Sequence, residues 1–354
     1  MSRTARAATT LVLLALGTLA AFVAKALSTP LPFMLGPLIA VGAIACSRAA
    51  RFLPTGYRFP QPLRESFIAM IGLMIGAQVA PDLFRNAPGL MLSIGALTAF
   101  VLLALGSNYL LFRRIGGFDR PTAFFAAAPG GLYESIALGE AAGADLPRLM
   151  TQQFLRIIVV VTVLPFGMSL YLGAPVGSAA GVSMAQGPVP WSALPLLALA
   201  GLVGWALGRA ARLPAPQLTG PLVVAAVLNL TGLVHLDVPP WLVNVAQVVI
   251  GTALGTRFAG IGRGLILRGA GLAVVSVGGM LLLAAGIAAL LRPFLGEAFD
   301  TLLISFAPGG VTEMGLIALS MAANPAFVTM HHILRILITV VAVTALGPRL
   351  RAKS

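Results

Sequence analysis

One composite pattern occurs twice in this chain: the letters APGG, a glutamate three residues later, and the letters LRI further along. The first copy comprises Ala128–Gly131, Glu134 and Leu155–Ile157, and the second comprises Ala307–Gly310, Glu313 and Leu334–Ile336. Every part of the second copy lies 179 positions after its counterpart, as 307 lies after 128. In a chain of 354 residues this offset indicates a duplicated unit. Helix-breaking residues repeated beside ionisable residues, inside apolar sequence, are typical of transporter cores.

The composition is that of an integral membrane protein. Hydrophobic residues make up 58% of the chain and charged residues 9%, which leaves too little polar surface to cover a soluble globule of this size. The net charge of +13 comes from basic residues in short segments between apolar runs, so it does not predict a nucleic-acid-binding face. The single cysteine, Cys46, excludes a disulfide framework and a cysteine-based metal site.

Each half divides into six apolar segments of a length that predicts membrane helices. A second duplicated motif supports this division, because PLPFMLGPL begins at Pro30 and PAPQLTGPL begins at Pro214. The match predicts that the first apolar stretch is a membrane helix and not a cleaved signal peptide. The segments lie at about 8–27, 32–47, 65–80, 88–112, 122–142 and 149–172, then at about 190–208, 216–234, 241–256, 266–291, 301–321 and 327–347. We therefore expect a first membrane repeat (1–172), an external linker (173–189) and a second membrane repeat (190–354).

The fifth segment of each half carries the Pro-Gly-Gly and is predicted to be interrupted. Two glycines cost about 2 kcal/mol of helix propensity relative to two alanines, and the preceding proline cannot donate a helical hydrogen bond. The segment is therefore either a helix broken in mid-membrane or a re-entrant hairpin that enters and leaves on one side.

The distribution of Lys and Arg favours the re-entrant hairpin, because these residues accumulate in cytoplasmic loops. With five crossings per half and cytoplasmic termini, only Lys25, Arg85 and Arg292 among the loop residues lie outside. If all twelve segments crossed, Arg148 and the basic residues from 209 to 268 would turn outward. An odd number of crossings inverts the second half relative to the first. We therefore predict an all-α membrane protein of two inverted repeats, each with five transmembrane helices and one re-entrant or broken helix.

Arg156 and Arg335 are strongly basic residues deep inside apolar helices. An arginine at a helix centre costs about 2.5–3.5 kcal/mol on insertion scales, so each must face a partner or an aqueous cavity. Each of these two helices also has a narrow polar stripe one turn before its arginine. Its members are Gln152 and Gln153 in the first copy and His331 and His332 in the second.

Glu134 and Glu313 are each predicted to lie in the first turn of the helix that follows the glycine pair. One interpretation is structural: a carboxylate there stabilises the helix dipole and can pair with the nearby arginine. The other is that these acids bind or release a coupling cation, Na⁺ or H⁺, as acids in membrane transporters do. We assign ion coupling to Glu134, Glu313, Gln152, His331 and His332, with hydrogen-bonded packing as the alternative for the histidines.

The unwound backbone at each Pro-Gly-Gly is the stronger candidate for substrate binding. Such backbone is tolerated at membrane depth only where protein or a water-filled cavity covers it, and helix N-termini offer N–H donors to anions. With two arginines added, the cavity would attract a small organic anion. The predicted substrate-binding residues are Pro129, Gly130, Gly131, Arg156, Pro308, Gly309, Gly310 and Arg335.

These paired motifs resemble those of the bacterial AbrB-type membrane proteins, which are often labelled ammonia monooxygenase or regulator. The resemblance rests on PLPFMLGPL with PAPQLTGPL, and on the doubled APGG, glutamate and LRI pattern, and it covers essentially the whole chain. More distantly, the implied architecture is similar to inverted-repeat anion symporters with Gly-rich re-entrant loops. That likeness is at the level of fold and assigns no substrate.

The sequence thus predicts a multi-pass protein of the bacterial cytoplasmic membrane that transports a small anion by alternating access, driven by a cation gradient. It shows no phosphate loop, zinc spacing or nucleophile arrangement, so we expect neither an enzyme nor a cofactor or metal. Two alternatives stay open: a membrane regulator that influences gene expression without transport, and a membrane-bound metal enzyme. The sequence also leaves open whether the protein assembles as a homodimer.

Overall fold

The regular structure is entirely helical in the part of the chain that is described. The computed structural model describes residues 3–47, 50, 53–54, 56–80, 87–176, 193–233, 239–259 and 263–347. The helices of the first half are α1 (Arg3–Ala26), α2 (Pro32–Cys46), α3 (Gln61–Ala77), α4 (Ala87–Arg114), α5 (Arg120–Ala127), α6 (Leu132–Ala141) and α7 (Leu146–Leu172). Those of the second half are α8 (Ala193–Ala210), α9 (Pro216–Leu230), α10 (Pro240–Thr256), α11 (Arg263–Leu295), α12 (Phe299–Phe306), α13 (Val311–Ser320) and α14 (Pro325–Leu346).

Each predicted apolar segment contains a helix, and the predicted all-α class is confirmed. The fifth segment of each half is two short helices with a break between them, at residues 128–131 and at residues 307–310. The breaks coincide with the Pro-Gly-Gly sequences, as the low helix propensity of these residues predicts. The expected external linker falls largely on residues 177–192, which lie outside the described residues.

Several helices are long enough to cross a bilayer. By length and composition these are α1, α4, α7, α11 and α14 among the described residues. The shorter apolar helices of 10–17 residues include α2, α9 and α13. The chain is therefore a multi-pass helical membrane protein.

The helices form two compact units, and each unit draws on both halves of the sequence. The first unit comprises residues 1–83, 165–260 and 315–326, and the second comprises residues 84–164, 261–314 and 327–354. The first three helices of each repeat thus belong to the first unit. The helices that carry the Pro-Gly-Gly breaks, with their neighbours, belong largely to the second.

Glycines bring helices of the two repeats into close contact within the first unit. On α3, a Cβ added to Gly72 would overlap the carbonyl of Leu218 in α9, and one at Gly76 would lie 2.7 Å from the Ala225 Cβ. Asn229, near the end of α9, donates to the carbonyl of Ala77 at the end of α3 over 3.0 Å. Residue numbers rise together along both helices, so α3 and α9 run parallel.

The equivalent contact is made by α10 of the second repeat, which packs against α2 of the first. On α10, a Cβ added to Gly251 would overlap the carbonyl of Met34 in α2, and one at Gly255 would lie 3.0 Å from the carbonyl oxygen of Leu38. Gly251 lies 179 positions after Gly72, so the duplicated glycines make equivalent contacts. Each repeat therefore supplies the helix against which the other packs.

The duplication extends to the backbone conformation where α2 and α9 begin. Leu31 has φ 45° and Ala215 has φ 49°, both in the left-handed region that non-glycine residues rarely adopt. Each precedes a proline at the first position of its helix. Proline favours the first turn of a helix because its fixed φ matches the helix and its missing N–H is not needed there.

Candidate functional site

The first break makes a hairpin, because α6 folds back along α5. The backbone N–H of Asp145, just after α6, donates to the Thr122 hydroxyl near the start of α5 over 2.7 Å. Within the hairpin, a Cβ added to Gly139 of α6 would lie 3.4 Å from the Phe125 Cβ of α5. The two outer ends of α5–α6 therefore lie together, and the Pro-Gly-Gly forms the tip.

Side chains from α7 satisfy the carbonyl groups at the end of α5. Arg156 donates from Nη1 to the carbonyl of Ala128, and Gln153 donates from Nε2 to the carbonyl of Phe125 over 2.9 Å. The last carbonyls of a helix have no partner within the helix and carry the negative end of its dipole. A buried guanidinium and amide from α7 therefore cap α5 where it breaks.

The second repeat makes the same contacts 179 positions later. Arg335 on α14 donates from Nη1 to the carbonyl of Ala307 and from Nη2 to that of Gly309. His332 Nε2 lies 2.9 Å from the carbonyl oxygen of Ile304. Arg335 is 1% exposed and Arg156 is 6% exposed. The expectation that each buried arginine faces a partner is met by backbone carbonyls.

Gln152 and His331 point away from the breaks, toward the long helices of the opposite repeat. Gln152 Nε2 donates to the carbonyl of Gly269 in α11 over 3.2 Å. His331 Nε2 lies 3.0 Å from the Ser93 hydroxyl of α4, and its Nδ1 lies 2.9 Å from the carbonyl oxygen of Phe327. These two predicted coupling residues therefore join helices and do not line the break.

Glu134 and Glu313 lie in the first turns of α6 and α13, as predicted. Their carboxylates turn back over the second glycine of each pair: a Cβ at Gly131 would be 3.3 Å from Glu134 Oε2, and one at Gly310 would overlap Glu313 Oε2. Glu134 is exposed, whereas Glu313 is 4% exposed. Among the described residues, no ion pair within 4 Å joins either glutamate to an arginine, so the expected pairing is not seen.

The two breaks converge on Arg335. Besides its bonds to the second break, this residue faces the first: a Cβ at Gly130 would lie 3.7 Å from Arg335 Nε and 3.2 Å from the Thr339 hydroxyl. A Cβ at Gly131 would lie 3.2 Å from Val340. Pro129 and Pro308 are buried within the two breaks. The glycines of the first repeat thus contact the same stretch of α14 that holds the second repeat's break.

The first arms of the two broken helices reach this point from opposite ends of α14. Ile304 and Ala307 of α12 bond to His332 and Arg335, so α12 runs in the same direction as α14. Phe125 of α5 instead packs near the C-terminal end of α14, where a Cβ at Gly347 would lie 3.2 Å from its ring. Since the tip beyond α5 reaches back to Arg335, α5 runs against α14.

α7 and α14 also run in opposite directions. Phe125 bonds to Gln153 and Ala128 bonds to Arg156, so α5 runs with α7. Because α5 runs against α14, its parallel neighbour α7 does so too. These two helices carry the duplicated LRI sequences, and they are therefore antiparallel counterparts.

Several buried polar atoms around the convergence have no hydrogen-bond partner. They include the Nε atoms of both arginines and the hydroxyl of Thr339, which is itself fully buried. Buried polar groups are normally satisfied, so each such atom is a candidate for contact with a ligand or water. Thr339 was not predicted from the sequence, although it lies four residues after Arg335 on the same helix face. Within the described ranges, no three His, Cys, Asp or Glu side chains group together as metal ligands.

Comparison with known proteins gives a family match and two relatives. The family model described as "Transition state regulatory protein AbrB" matches residues 41–350. The "Uncharacterized protein YhjN" of Bacillus subtilis (strain 168) is 25% identical over 336 residues, covering 87% of this chain and 84% of that protein. The "Putative regulator AbrB" of Escherichia coli (strain K12) is 25% identical over 314 residues, covering 88% of this chain and 87% of that protein.

Proposed function

Since the chain belongs to the AbrB family, we propose that it is a secondary active transporter that carries a small organic anion across the bacterial cytoplasmic membrane. A cation gradient of Na⁺ or H⁺ drives the transport. The two compact units are the candidates for the bodies that move during alternating access. The protein acts without a cofactor, and a homodimer is its candidate assembly.

The observation that carries this proposal is the convergence of two broken helices on Arg335. Arg335 lies at the middle of α14, a helix of 22 residues and therefore about 33 Å long. That length matches the hydrocarbon core of about 30 Å, so the breaks are expected near the midplane. Irregular backbone at this depth is tolerated only against protein or a water-filled cavity. Transporters place substrate sites at such discontinuous helices.

The inverted arrangement has support from both units. In the second unit, α7 and α14 are antiparallel counterparts. In the first unit, α3 and α9 run parallel, while the loop between α2 and α3 carries Arg58 and cannot cross lipid. Helices α2 and α3 must then run in opposite directions, so α9 opposes its counterpart α2. Because Lys and Arg accumulate in cytoplasmic loops, this arrangement places both termini in the cytoplasm.

We assign substrate binding to the two tips, comprising Pro129, Gly130, Gly131, Pro308, Gly309 and Gly310. Arg156 and Arg335 hold the tips in place through the carbonyl bonds and keep the site electropositive. Glu134 is the leading coupling residue, because it is exposed beside the first tip and a bound anion would favour its association with a cation. Glu313, Gln152, His331 and His332 complete the coupling set. Gln152 and His331 act there by joining α7 to α11 and α14 to α4, away from the breaks themselves.

Transport can be tested with the purified full-length protein in liposomes. Uptake of a panel of radiolabelled small carboxylates is measured under inward H⁺ and Na⁺ gradients, with and without an ionophore. We expect gradient-dependent uptake of at least one compound, and its loss in R335A. R268A is the matched control, because Arg268 is exposed and bonds only to Gly264 of its own helix among the contacts described. Absence of uptake across the panel, or normal uptake by R335A, contradicts the proposal.

A second candidate function follows from the names of the family and of the Escherichia coli relative, which describe regulators. A membrane regulator without transport would bind a partner at its cytoplasmic loops. It would produce no flux in liposomes, whereas deletion of its gene would change transcription. A transporter-dead R335A protein that restored normal transcription in such a deletion strain would favour this candidate.

A further inference from the structure

A groove in the first unit runs between α3 and α8 and reaches the start of α10. Its cavity volume is about 560 Å³, which lies within the usual range of sites for small molecules. Most of its lining is apolar, and small residues contribute to it on both helices: Ala69 on α3, with Ala198 and Gly201 on α8. The missing side-chain volume leaves an open space beside the two helices that a slender apolar group fits.

The two helices run in opposite directions, which gives the groove two distinct ends. On α8, a Cβ added to Gly204 would lie 2.5 Å from the Cα of Pro221 in α9, and one at Gly208 would lie 2.9 Å from the carbonyl oxygen of Pro216. Residue numbers fall along α9 as they rise along α8, so these helices are antiparallel. Because α9 runs parallel to α3, α8 is antiparallel to α3 as well. The start of α3 and the end of α8 therefore share one end of the groove.

The groove is polar at that end and apolar at the other. Glu65 and Ser66 near the start of α3, and Trp205 near the end of α8, line the polar end. Leu194 and Leu197, near the start of α8, line the apolar end. Tryptophan side chains favour the boundary between hydrocarbon and headgroups, so the polar end is expected at headgroup level. An amphiphile has the same distribution of polarity.

The length of the groove matches one leaflet of a bilayer. Trp205 lies 11 positions after Leu194, which corresponds to about 17 Å of helix. Half of a hydrocarbon core of about 30 Å is about 15 Å. The groove therefore suits the acyl chain of a lipid whose headgroup lies beside Trp205. In the proposed topology this is a lipid of the cytoplasmic leaflet, because the loop before α3 is cytoplasmic.

Two charged side chains at the polar end complement a zwitterionic headgroup. Glu65 is half-buried, and its Oε1 accepts a hydrogen bond from Gln61 Nε2 over 2.9 Å. In the described part of the chain, no basic side chain lies within 4 Å of this carboxylate. Arg209 is exposed, and its Cζ lies 5.1 Å from the centroid of the Trp205 ring. The groove thus ends beside one anion and one cation, which suit an ammonium and a phosphate respectively.

We propose that this groove binds one phospholipid with a primary ammonium headgroup, such as phosphatidylethanolamine. The ammonium donates to the Glu65 carboxylate, the phosphate accepts from Arg209, and one acyl chain lies along α8 from Trp205 toward Leu194. A trimethylammonium headgroup has no N–H to donate, and a glycerol headgroup brings no cation to Glu65. Because α3 and α8 come from different repeats, the bound lipid joins the two repeats within the first unit.

Quenching of tryptophan fluorescence by brominated acyl chains tests the proposal, because bromine quenches a ring that it contacts. In a W191F/W241F background, Trp205 is the remaining tryptophan of the three. The full-length protein is reconstituted in dibrominated phosphatidylcholine mixed with an unbrominated lipid that carries an ethanolamine, glycerol or choline headgroup. The ethanolamine lipid should relieve quenching about fivefold more effectively than the choline lipid, the effect of one exposed charge pair. The glycerol lipid should have no advantage over the choline lipid.

E65Q should reduce the preference for the ethanolamine lipid to near unity, because the amide carries no charge. The matched control places the single tryptophan on α11, as L282W in a protein whose three native tryptophans are phenylalanine. Leu282 is 76% exposed and does not line the groove, so L282W should show no headgroup preference. No preference at Trp205, an unchanged preference in E65Q, or an equal preference at L282W overturns the proposal.

A second copy of the chain in the groove would give a different result. Trp205 would then escape quenching by every brominated lipid, and A198C in a C46A background would cross-link two copies, which also overturns the lipid site. The measurement follows lipid contact and not solute flux. Failure of the lipid site therefore leaves the proposed transport function standing, and absence of transport leaves the lipid site standing.

Discussion

Gly130 in the first repeat faces Arg335 in the second, at a distance where an added Cβ would be 3.7 Å from the guanidinium Nε. The same arginine donates through its two Nη atoms to the carbonyls of Ala307 and Gly309. One side chain therefore contacts both interrupted helices. Any displacement of either tip must change the surroundings of Arg335.

We expect R335K to be less stable than R156K. Arg335 donates to two carbonyls and Arg156 to one, and each hydrogen bond to a charged group contributes about 1.5–3 kcal/mol. Lysine keeps the charge but cannot reproduce the planar fork of donors. Thermal unfolding in detergent should show a clear loss for R335K and about half that loss for R156K. Equal midpoints for the two variants would contradict this account of the capping contacts.

Cysteine labelling should place both ends of the first hairpin on one side of the membrane. In a C46A background, R120C and E140C flank the hairpin, and both positions are exposed. A membrane-impermeant maleimide should label them from the same side, whereas A298C, just before α12, should react from the opposite side. Labelling of R120C and E140C from opposite sides would show that α5 and α6 together cross the bilayer.

Changing the second glycine of each tip to alanine should destabilise the protein for a different reason in each repeat. Gly310 lies against the Glu313 carboxylate, so G310A should cost about 1–3 kcal/mol from overpacking, and adding E313A should recover much of the loss. Gly131 has φ +62°, so G131A carries a backbone strain of about 1–2 kcal/mol that E134A does not relieve. Double-mutant cycles measured by thermal unfolding check both. Equal rescue in the two pairs would be inconsistent with this difference.

E134Q should separate substrate movement from the driving gradient. An amide at the exposed position beside the first tip no longer binds or releases a cation. Exchange of labelled for unlabelled carboxylate across liposomes should continue, while accumulation against a gradient should stop. E313Q is the matched comparison, because Glu313 is 4% exposed and should affect coupling less. Full accumulation by E134Q would remove Glu134 from the coupling mechanism.

The loop between α2 and α3 should show a pH-dependent anchor to α1. The Tyr57 phenol lies 2.9 Å from the Thr10 hydroxyl, and burial raises the pKa of Tyr57, while the hydrogen bond and the charge of Arg6 oppose the shift. The protonated phenol is therefore favoured in the folded state. Its stabilisation is present below the unfolded pKa of about 10 and is lost as pH rises through the higher folded value. The wild type should lose more stability than Y57F between about pH 9 and 11, whereas parallel profiles would exclude the effect.

The helix breaks and the polar stripes were predictable because they depend on local chemistry. Pro129-Gly130-Gly131 is incompatible with a continuous helix wherever it occurs, and its position in the structure matches the prediction. The stripe of Arg156 with Gln153 was visible from helical spacing alone. In both cases the relevant physics acts within a few residues of the chain.

The partners of these residues were not predictable in the same way. A buried arginine needs an acceptor, but nothing in the local pattern chooses between a carboxylate and a backbone carbonyl, and Arg335 takes carbonyls. His331 reaches Ser93, which is 238 positions away in the sequence. Thr339 was overlooked because threonines in membrane helices usually bond to their own backbone. Such choices depend on the assembled tertiary structure.

The exchange of helices between repeats has a consequence for biosynthesis. Gly72 reaches its contact only after Leu218 has been made, and at roughly 5–20 residues per second the nascent α3 waits about 7–30 s for α9. During that interval the glycine-lined face of α3 can contact only lipid or the insertion machinery. The amino-terminal half made alone should thus be a substrate for membrane proteases, and co-production of the missing half should protect it.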